Sequence, residues 1–437
     1  MPYPARRPER VHGLMALFAA CWCTVALAAG QGPAVVHKPG VAMHAAPDFQ
    51  SPTVATLKRD DKVEVSGQQG LWFQVAAQGK SGFVRVNDIR MQYAPGAGGD
   101  AEALFTGKAG KGRVSETAGV RGIDESDLRS AGYDGAQFAQ LEAHRVAPDA
   151  AAADANAKGH QSKQVPLPGE LKPVADATPK ATQQEKRSSI AMARGLLSRV
   201  GIGAPAPANS AVDVATAAQG KSEAEQAAEE AALGPELAGR VLGAAPLWAD
   251  AEAQARVNRI GRWMASNTSR PDLPWSFGVI DSPELNAFAA PGGYILVTRG
   301  LYALLASDDE VAAVIGHELS HVVQRDHYNV IKQQETQRAL HDAASANVTV
   351  GGGVAGSMAK DYVARHGATV MLTRLDRDAE LRSDHAAQVY LERAGYDPLA
   401  LYAVLQKMTA LGDRSGNLAA LVSTHPPLDA RMDRLDR

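Results

Sequence analysis

Apolar residues recur at three- and four-residue spacing most densely after Ser307, where Val311, Val314, Ile315, Leu319, Val322 and Val323 draw the stripe of a buried helix. Ser307 stands at the cap position, and Asp308 and Asp309 fall in the first turn, where acids suit the helix dipole. The same dense patterning runs from about Ser222 onward. Ser222–Leu242 and Asp250–Ser266 read as helices, the second with Val257, Ile260, Trp263 and Met264 on its apolar side. Trp275–Ile280 reads as a strand, and Asn286–Thr298 as a turn at Pro291-Gly292-Gly293 feeding a buried strand. A long polar helix is expected to Ala344, then a break at Gly351-Gly352-Gly353. Helices over Asp361–Gly395 and Pro398–Leu411, and a Ser423–Arg431 loop leading into a last helix, complete the expectation.

Residues 33–92 carry a period of two instead. Trp72, Gln74, Phe83 and Arg85 alternate with Phe73, Val75, Val84 and Val86 across a turn at Gln78-Gly79-Lys80, which predicts a small antiparallel β unit. The small-Pro-Asp segment at Ala45–Asp48, the apolar Leu57, Val63 and Val65, Trp72 ahead of a Val, and Gly82-Phe83-Val84 resemble the bacterial SH3-like domain. That family often has Trp where Phe83 stands. The resemblance implies a small all-β barrel with a cell-wall or protein ligand. The plainer alternative is that Trp72 and Phe83 fill a small core.

Between these regions, 93–220 is poor in large apolar residues and reads as a low-complexity tether, with short helices over Glu125–His144 and Ser188–Val200. Residues 1–29 read as a signal peptide: Arg6, Arg7 and Arg10 precede the apolar Leu14–Ala28, and Ala26-Leu27-Ala28 offers a cleavage site. Periplasmic export is the expected destination, with an uncleaved membrane anchor or a lipidated Cys21 as lesser alternatives.

With 437 residues, two or three domains are expected, and a net charge of -3 gives no reason to look for nucleic acid as a partner. The chain has two cysteines, Cys21 and Cys23, both inside the targeting segment. Once that segment is removed, no thiol remains to form a disulfide or to bind a metal.

The buried helix carries His317-Glu318-Leu-Ser-His321. Two histidines four apart share one helix face, so both imidazoles can reach one ion, and Glu318 can act as the base that takes a proton from an activated water. A third ligand is needed. His327 has the metzincin spacing, but Gln324 replaces the turning glycine, so His327 is expected to be exposed near the helix end rather than a ligand. Glu380, Asp384, Ala387 and Leu391 share another helix face. Either acid could bind the ion while the other holds a histidine N–H, and a solvated charged face beside Arg374, Arg377 and Arg382 is the alternative.

His317–His321, Glu380-Leu-Arg-Ser-Asp384, Asn286–Gly293 and Thr424-His425-Pro426 together resemble the CAAX-prenyl-protease/HtpX-type zinc metallopeptidases, most closely the soluble periplasmic BepA-like branch. The likeness covers about 222–437. It implies one zinc per chain on His317, His321 and Glu380, with Glu318 as general base and Asp384 behind the ligands. It further implies that His425 can approach the zinc and hold the enzyme latent, and that Arg431 steadies substrate or an oxyanion. Arg382 and Ser383 depart from the family's usual ExEAD core. Asn286, Gly292 and Gly293 are expected to present a strand edge to a peptide, with structural packing as the equal alternative.

The expected fold is thus α+β and multidomain: a mostly helical, zincin-like metallopeptidase domain with a small sheet, preceded by a small all-β SH3-like barrel. The expected function is an exported zinc metalloendopeptidase acting on unfolded or misassembled envelope proteins. The alternatives are an envelope-binding, chaperone-like protein with weak or latent proteolysis, and a wall-cleaving enzyme.

Overall fold

Seven short strands form where the alternation predicts them: β1 Gly32–Val36, β2 Val41–His44, β3 Thr53–Leu57, β4 Lys62–Gln69, β5 Trp72–Ala77, β6 Lys80–Arg85 and β7 Ile89–Met91. They make one antiparallel sheet in the order β3-β2-β6-β5-β4-β1-β7. The β5–β6 hairpin turns at Gln78 and Gly79, both at positive φ (53° and 75°), the conformation a two-residue turn requires. Inward residues of all seven strands, among them Val36, Met43, Leu57, Val65, Phe73, Val84 and Ile89, share one core. Neither Trp72 nor Phe83 belongs to it. Phe83 is half-buried, and Trp72 lies against His44 and Phe49 at centroid distances of 5.5 and 4.7 Å.

The computed structural model describes residues 31–92, 123–170, 223–344, 362–373, 375–411 and 425–436. The signal peptide expected over 1–29, the helix expected over Ser188–Val200, the triple-glycine break and Ser423–Thr424 lie outside the described residues. Among the described residues, no helix is long and apolar enough to cross a membrane.

Among the described residues of the span read as a tether, three helices form: α1 Glu125–Ser130, α2 Gly135–Ala143 and α3 Pro148–Ala157. The Ala-rich run expected to lack structure is α3, whose Ala151 and Ala155 are buried in the core. Small side chains let helices approach closely, so an alanine stripe can pack without large apolar residues. Leu128, Phe138 and Leu141 of α1 and α2 join a second core with the helix that follows.

That helix is α4 Glu223–Ala244. After it come α5 Ala251–Ser266, strands β8 Ser276–Ile280, β9 Ala287–Ala290 and β10 Tyr294–Thr298, α6 Arg299–Leu304, α7 Asp308–Val323 and α8 Asp326–Ala344. The three strands order as β8-β10-β9, with β8 parallel and β9 antiparallel to β10. The span Asp361–Gly395, expected to be largely helix, is so with an interruption: 362–366 is helical, Thr369–Leu372 is a 3₁₀ turn, and α9 runs from Arg377 to Ala394. Asp376 sets that start, its carboxylate accepting from Ala379 N–H at 2.7 Å, and Gly395 at φ 80° ends it. Helices α10 Ala400–Leu411 and α11 Leu428–Leu435 follow.

α7 lies at the centre, packed by α5, α9, α10 and β9, and is buried from Glu310 to Val323. Gly316 permits the closest approach: a Cβ there would stand 3.1 Å from the Met264 side chain and 3.5 Å from the Ala387 Cα. This contact sets α9 beside the histidines of α7. The SH3-like sheet is docked on the helical domain rather than separate from it. Gln406 of α10, fully buried, accepts from Met91 N–H at 3.0 Å and donates to the Val86 and Ile89 carbonyls. Gln68 of β4 donates at 3.0 Å to Glu310 of α7, which also pairs with the buried Lys407 at 2.6 Å.

Candidate metal centre

The Ser307 hydroxyl accepts from Glu310 N–H at 3.2 Å, so α7 begins where its sequence places the cap. Its periodicity then puts His317 and His321 one turn apart, with ring centroids 4.7 Å from each other. From α9, Asp384 approaches to 3.0 Å of His317 Nδ1. His321 Nδ1 lies 2.9 Å from an Asp326 carboxylate oxygen and 3.1 Å from the Ser383 hydroxyl. An Nδ1 facing a carboxylate is the protonated nitrogen of a neutral imidazole, which leaves both Nε2 atoms as lone-pair acceptors.

Those two Nε2 atoms are 3.2 Å apart. Two lone pairs at that distance repel unless a cation lies between them. For zinc with ligand distances of about 2.0–2.1 Å in a tetrahedron, adjacent nitrogens stand about 3.4 Å apart. Glu380 lies 3.6 Å from His317 Nε2 and 3.9 Å from His321 Nε2, and His425 Nε2 is 3.6 Å from the same carboxylate. The four residues offer ligand atoms all within 4.8 Å of one another. The Glu380 Oε2 atom is buried with no hydrogen-bond partner, a placement that is costly for a carboxylate without a cation. Donor chemistry and spacing therefore fit a zinc ion.

The electrostatics agree. Burial pushes the Glu380 carboxyl up, but the neighbouring His425, His317 and His321 outweigh it and hold the group well below the usual carboxylate range. Burial and the Arg431 charge push His317 down, yet Asp384 and Glu380 raise it to about 9. The site thus favours a cation at His317: zinc on the neutral imidazole, or a proton in its place. Burial lowers His425 to about 3 against the pull of Glu380, keeping that imidazole neutral and able to ligate. Burial raises Glu318, offset in part by His317 and His321.

Glu318 lines a cleft beside His317, with His425, Arg431, Ala287, Val314, Leu401, Val404 and Met408 around it. Arg431 is 3% exposed; its Nε and one Nη donate to Asp384 at 2.9 and 2.6 Å, and the same Nη stands 3.4 Å from His317 Nδ1. It therefore reaches the centre chiefly through Asp384.

The structure redraws three of the sequence expectations. The strand bounded by Pro291-Gly292-Gly293 is β10, the middle strand, with both edges taken; β8 and β9 are the edge strands, and β9 is the one that lines the cleft, through Ala287. Gly292 packs on the Glu230 carbonyl and Gly293 on Trp275, so both serve the hairpin turn. The Asn286 side chain accepts from Ala287 N–H at 3.0 Å, and Ala287 is the residue that lines the cleft. Lastly, His327 is not exposed. Arg325 adopts a left-handed conformation at φ 62°, turning the chain as a glycine would, and His327 is buried with its ring 5.9 Å from that of His321. The same turn delivers Asp326, which the sequence reading passed over. The available signal was an acid just beyond the motif helix.

Residues 251–437 match the model of peptidase family M48, and residues 39–89 match that of the bacterial SH3 domain. Among curated relatives, the chain is 25% identical to the beta-barrel assembly-enhancing protease of Escherichia coli over 53% of this chain and 48% of that one. It is 26% identical to the mitochondrial metalloendopeptidase OMA1 of Schizosaccharomyces pombe, over 41% of this chain and 51% of the relative. Identity to the metalloprotease LoiP of Escherichia coli is 26%, over 41% of this chain and 67% of the relative. The chain spans about half the length of the first of these relatives. Residues 251–437 thus carry the peptidase family M48 match, behind a bacterial SH3 match at 39–89.

Proposed function

We propose that the chain is an exported zinc metalloendopeptidase, latent at rest, that acts on polypeptides of the cell envelope. The observation that carries this reading is the pair of Nε2 atoms 3.2 Å apart, their Nδ1 atoms held by Asp384 and Asp326, facing an orphaned Glu380 oxygen. His317, His321 and Glu380 would hold zinc, with His425 in the fourth position of the latent form. Zinc bound there supplies Lewis acidity, polarising a scissile carbonyl and making water acidic enough to attack near neutral pH.

Asp384 and Asp326 fix both imidazoles in the ligating tautomer. Glu318, adjacent to His317 on α7, accepts the proton of the attacking water and returns it to the leaving amine. Burial keeps its carboxyl raised, closer to the working pH of a base. An extended substrate can pair with the edge strand β9, which supports β9 rather than β10 as the peptide-binding strand. The basic and apolar start of the chain supports periplasmic export, and the SH3 domain supplies a surface for a wall or protein ligand. Relatives named for β-barrel assembly support unfolded or misassembled envelope proteins as substrates.

Metal content and casein cleavage, measured on the mature protein, Glu318→Gln and His425→Ala, test the reading. About one zinc per chain is expected. Cleavage should vanish in Glu318→Gln with zinc retained, and rise in His425→Ala. Zinc without cleavage in any variant, and full biological function in Glu318→Gln, would favour the binding-protein alternative.

A further inference from the structure

The eight-residue helix α11 carries Arg431, and His425 enters the ligand cluster from the Pro426-Pro427 segment just before Leu428. Prolines have few conformations and bind helix and imidazole into one stiff piece. Arg431 anchors that piece through its two hydrogen bonds to the buried Asp384. The SH3 domain grips its downstream end. Arg90 donates to Asp433 at 2.8 Å, the Asn87 amide donates to Asp436 at 3.2 Å, and Lys38 lies 3.0 Å from Asp436. Beside it, α10 is held by the same module through Gln406, and the Arg90 guanidinium lies 4.9 Å over the Tyr402 ring. The helix is thus a lever with its pivot at Arg431, His425 on one arm and the SH3 contacts on the other.

We propose that the docked SH3 domain is the restraint that keeps His425 in the fourth ligand position, so that loosening its grip on α11 withdraws the imidazole and opens the site. The inference rests on the latency reading above and adds what controls it. Freeing the downstream arm lets α11 tilt about the Arg431–Asp384 anchor without disturbing His317, His321 or Glu380. A partner that pulls the SH3 domain from α11 would act as an activator.

The test uses the full chain carrying Arg90→Glu, which turns the pair with Asp433 into a repulsion, and the reciprocal swap with Asp433→Arg. Two readouts are taken: casein turnover, and the visible absorption of the cobalt-substituted protein, which shifts when water replaces an imidazole ligand. Arg90→Glu should raise turnover about fivefold, the scale of one ion pair made repulsive, and shift the cobalt bands toward those of His425→Ala. The charge swap should restore both. In a His425→Ala background Arg90→Glu should add nothing. Unchanged turnover and spectrum in Arg90→Glu would overturn the proposal, as would an equal rise in the His425→Ala background. Asp433 is 60% exposed at its side chain, so Asp433→Lys supplies the same repulsion should Arg90→Glu fail to fold. If no variant cleaves casein, the peptidase reading falls, and the cobalt spectrum alone decides this one.

Discussion

Asp326 follows His321 by five residues, and the left-handed turn at Arg325 folds it back until its carboxylate lies 2.9 Å from the His321 Nδ1. The Arg325 side chain is held in turn by Glu230 at 2.9 Å and Glu223 at 2.6 Å, so the corner is braced from α4. Removing the charge from Asp326 should therefore weaken metal binding without unfolding the protein. For Asp326→Asn we expect zinc affinity to fall about 10- to 100-fold, read by competition with a chromogenic chelator. An unchanged affinity would show that Ser383 alone suffices to orient His321.

Arg431→Ala leaves the Asp384 carboxylate buried without its cation. Burial alone would raise that group, and Arg431 is foremost among the neighbours that hold it well below the usual carboxylate range. The stabilisation exists above the unfolded-chain value and is lost as pH falls through the depressed one. The substitution should cost about 3–5 kcal/mol in urea unfolding at neutral pH, and less in acid. Arg431→Lys should recover only part of it, because one ammonium cannot supply both hydrogen bonds.

Stripped of metal, the protein should bind a proton where zinc would go. His317, held at about 9 by Asp384 and Glu380 against burial and Arg431, lies above its unfolded value. It therefore stabilises the stripped fold most fully below about pH 6.5, and that stabilisation fades as pH rises through about 9. Zinc needs the nitrogen deprotonated. Calorimetric titration near pH 7 should show a proton released on binding, with apparent affinity falling up to about tenfold per pH unit on going lower. Affinity that stays flat from pH 7 to 9 would contradict this.

Lys407 and Glu310 are each 1% exposed and 2.6 Å apart, and Glu310 is also the acceptor for Gln68 of the SH3 domain. Lys407→Met should destabilise by about 3–5 kcal/mol by leaving a buried carboxylate unpaired. Adding Glu310→Leu should return most of that loss, because two well-packed apolar groups replace the pair. Thermal unfolding of the single and double variants would separate these outcomes. A double variant as unstable as the single would mean that the Gln68 contact, not the pair, carries the stability.

What the sequence discloses depends on how local the signal is. His317 and His321 follow from helical spacing alone. Glu380 and Asp384 share a face by the same logic, but which one faces which histidine nitrogen depends on the approach at Gly316, which sets Asp384 against Nδ1 and Glu380 against Nε2. Arg325 has no glycine-like signature, so the turn that folds Asp326 back and buries His327 is not legible in the sequence. β9, Ala287–Ala290, lacks any alternation of apolar and polar residues, being Ala-Phe-Ala-Ala. Gln406 reads as an ordinary polar helix residue; only tertiary contact shows that it holds three backbone groups of another domain.

The contacts between the SH3 sheet and α11 join residues 343 and 349 positions apart in the chain. Loops that long close slowly, so this docking belongs to the late stages of folding. If the grip on α11 forms last, a newly made chain passes through an interval in which its metal ligands are assembled and its restraint is not. Whatever protects the producing cell during that interval must come from outside this fold, or from a scarcity of zinc where the chain is made.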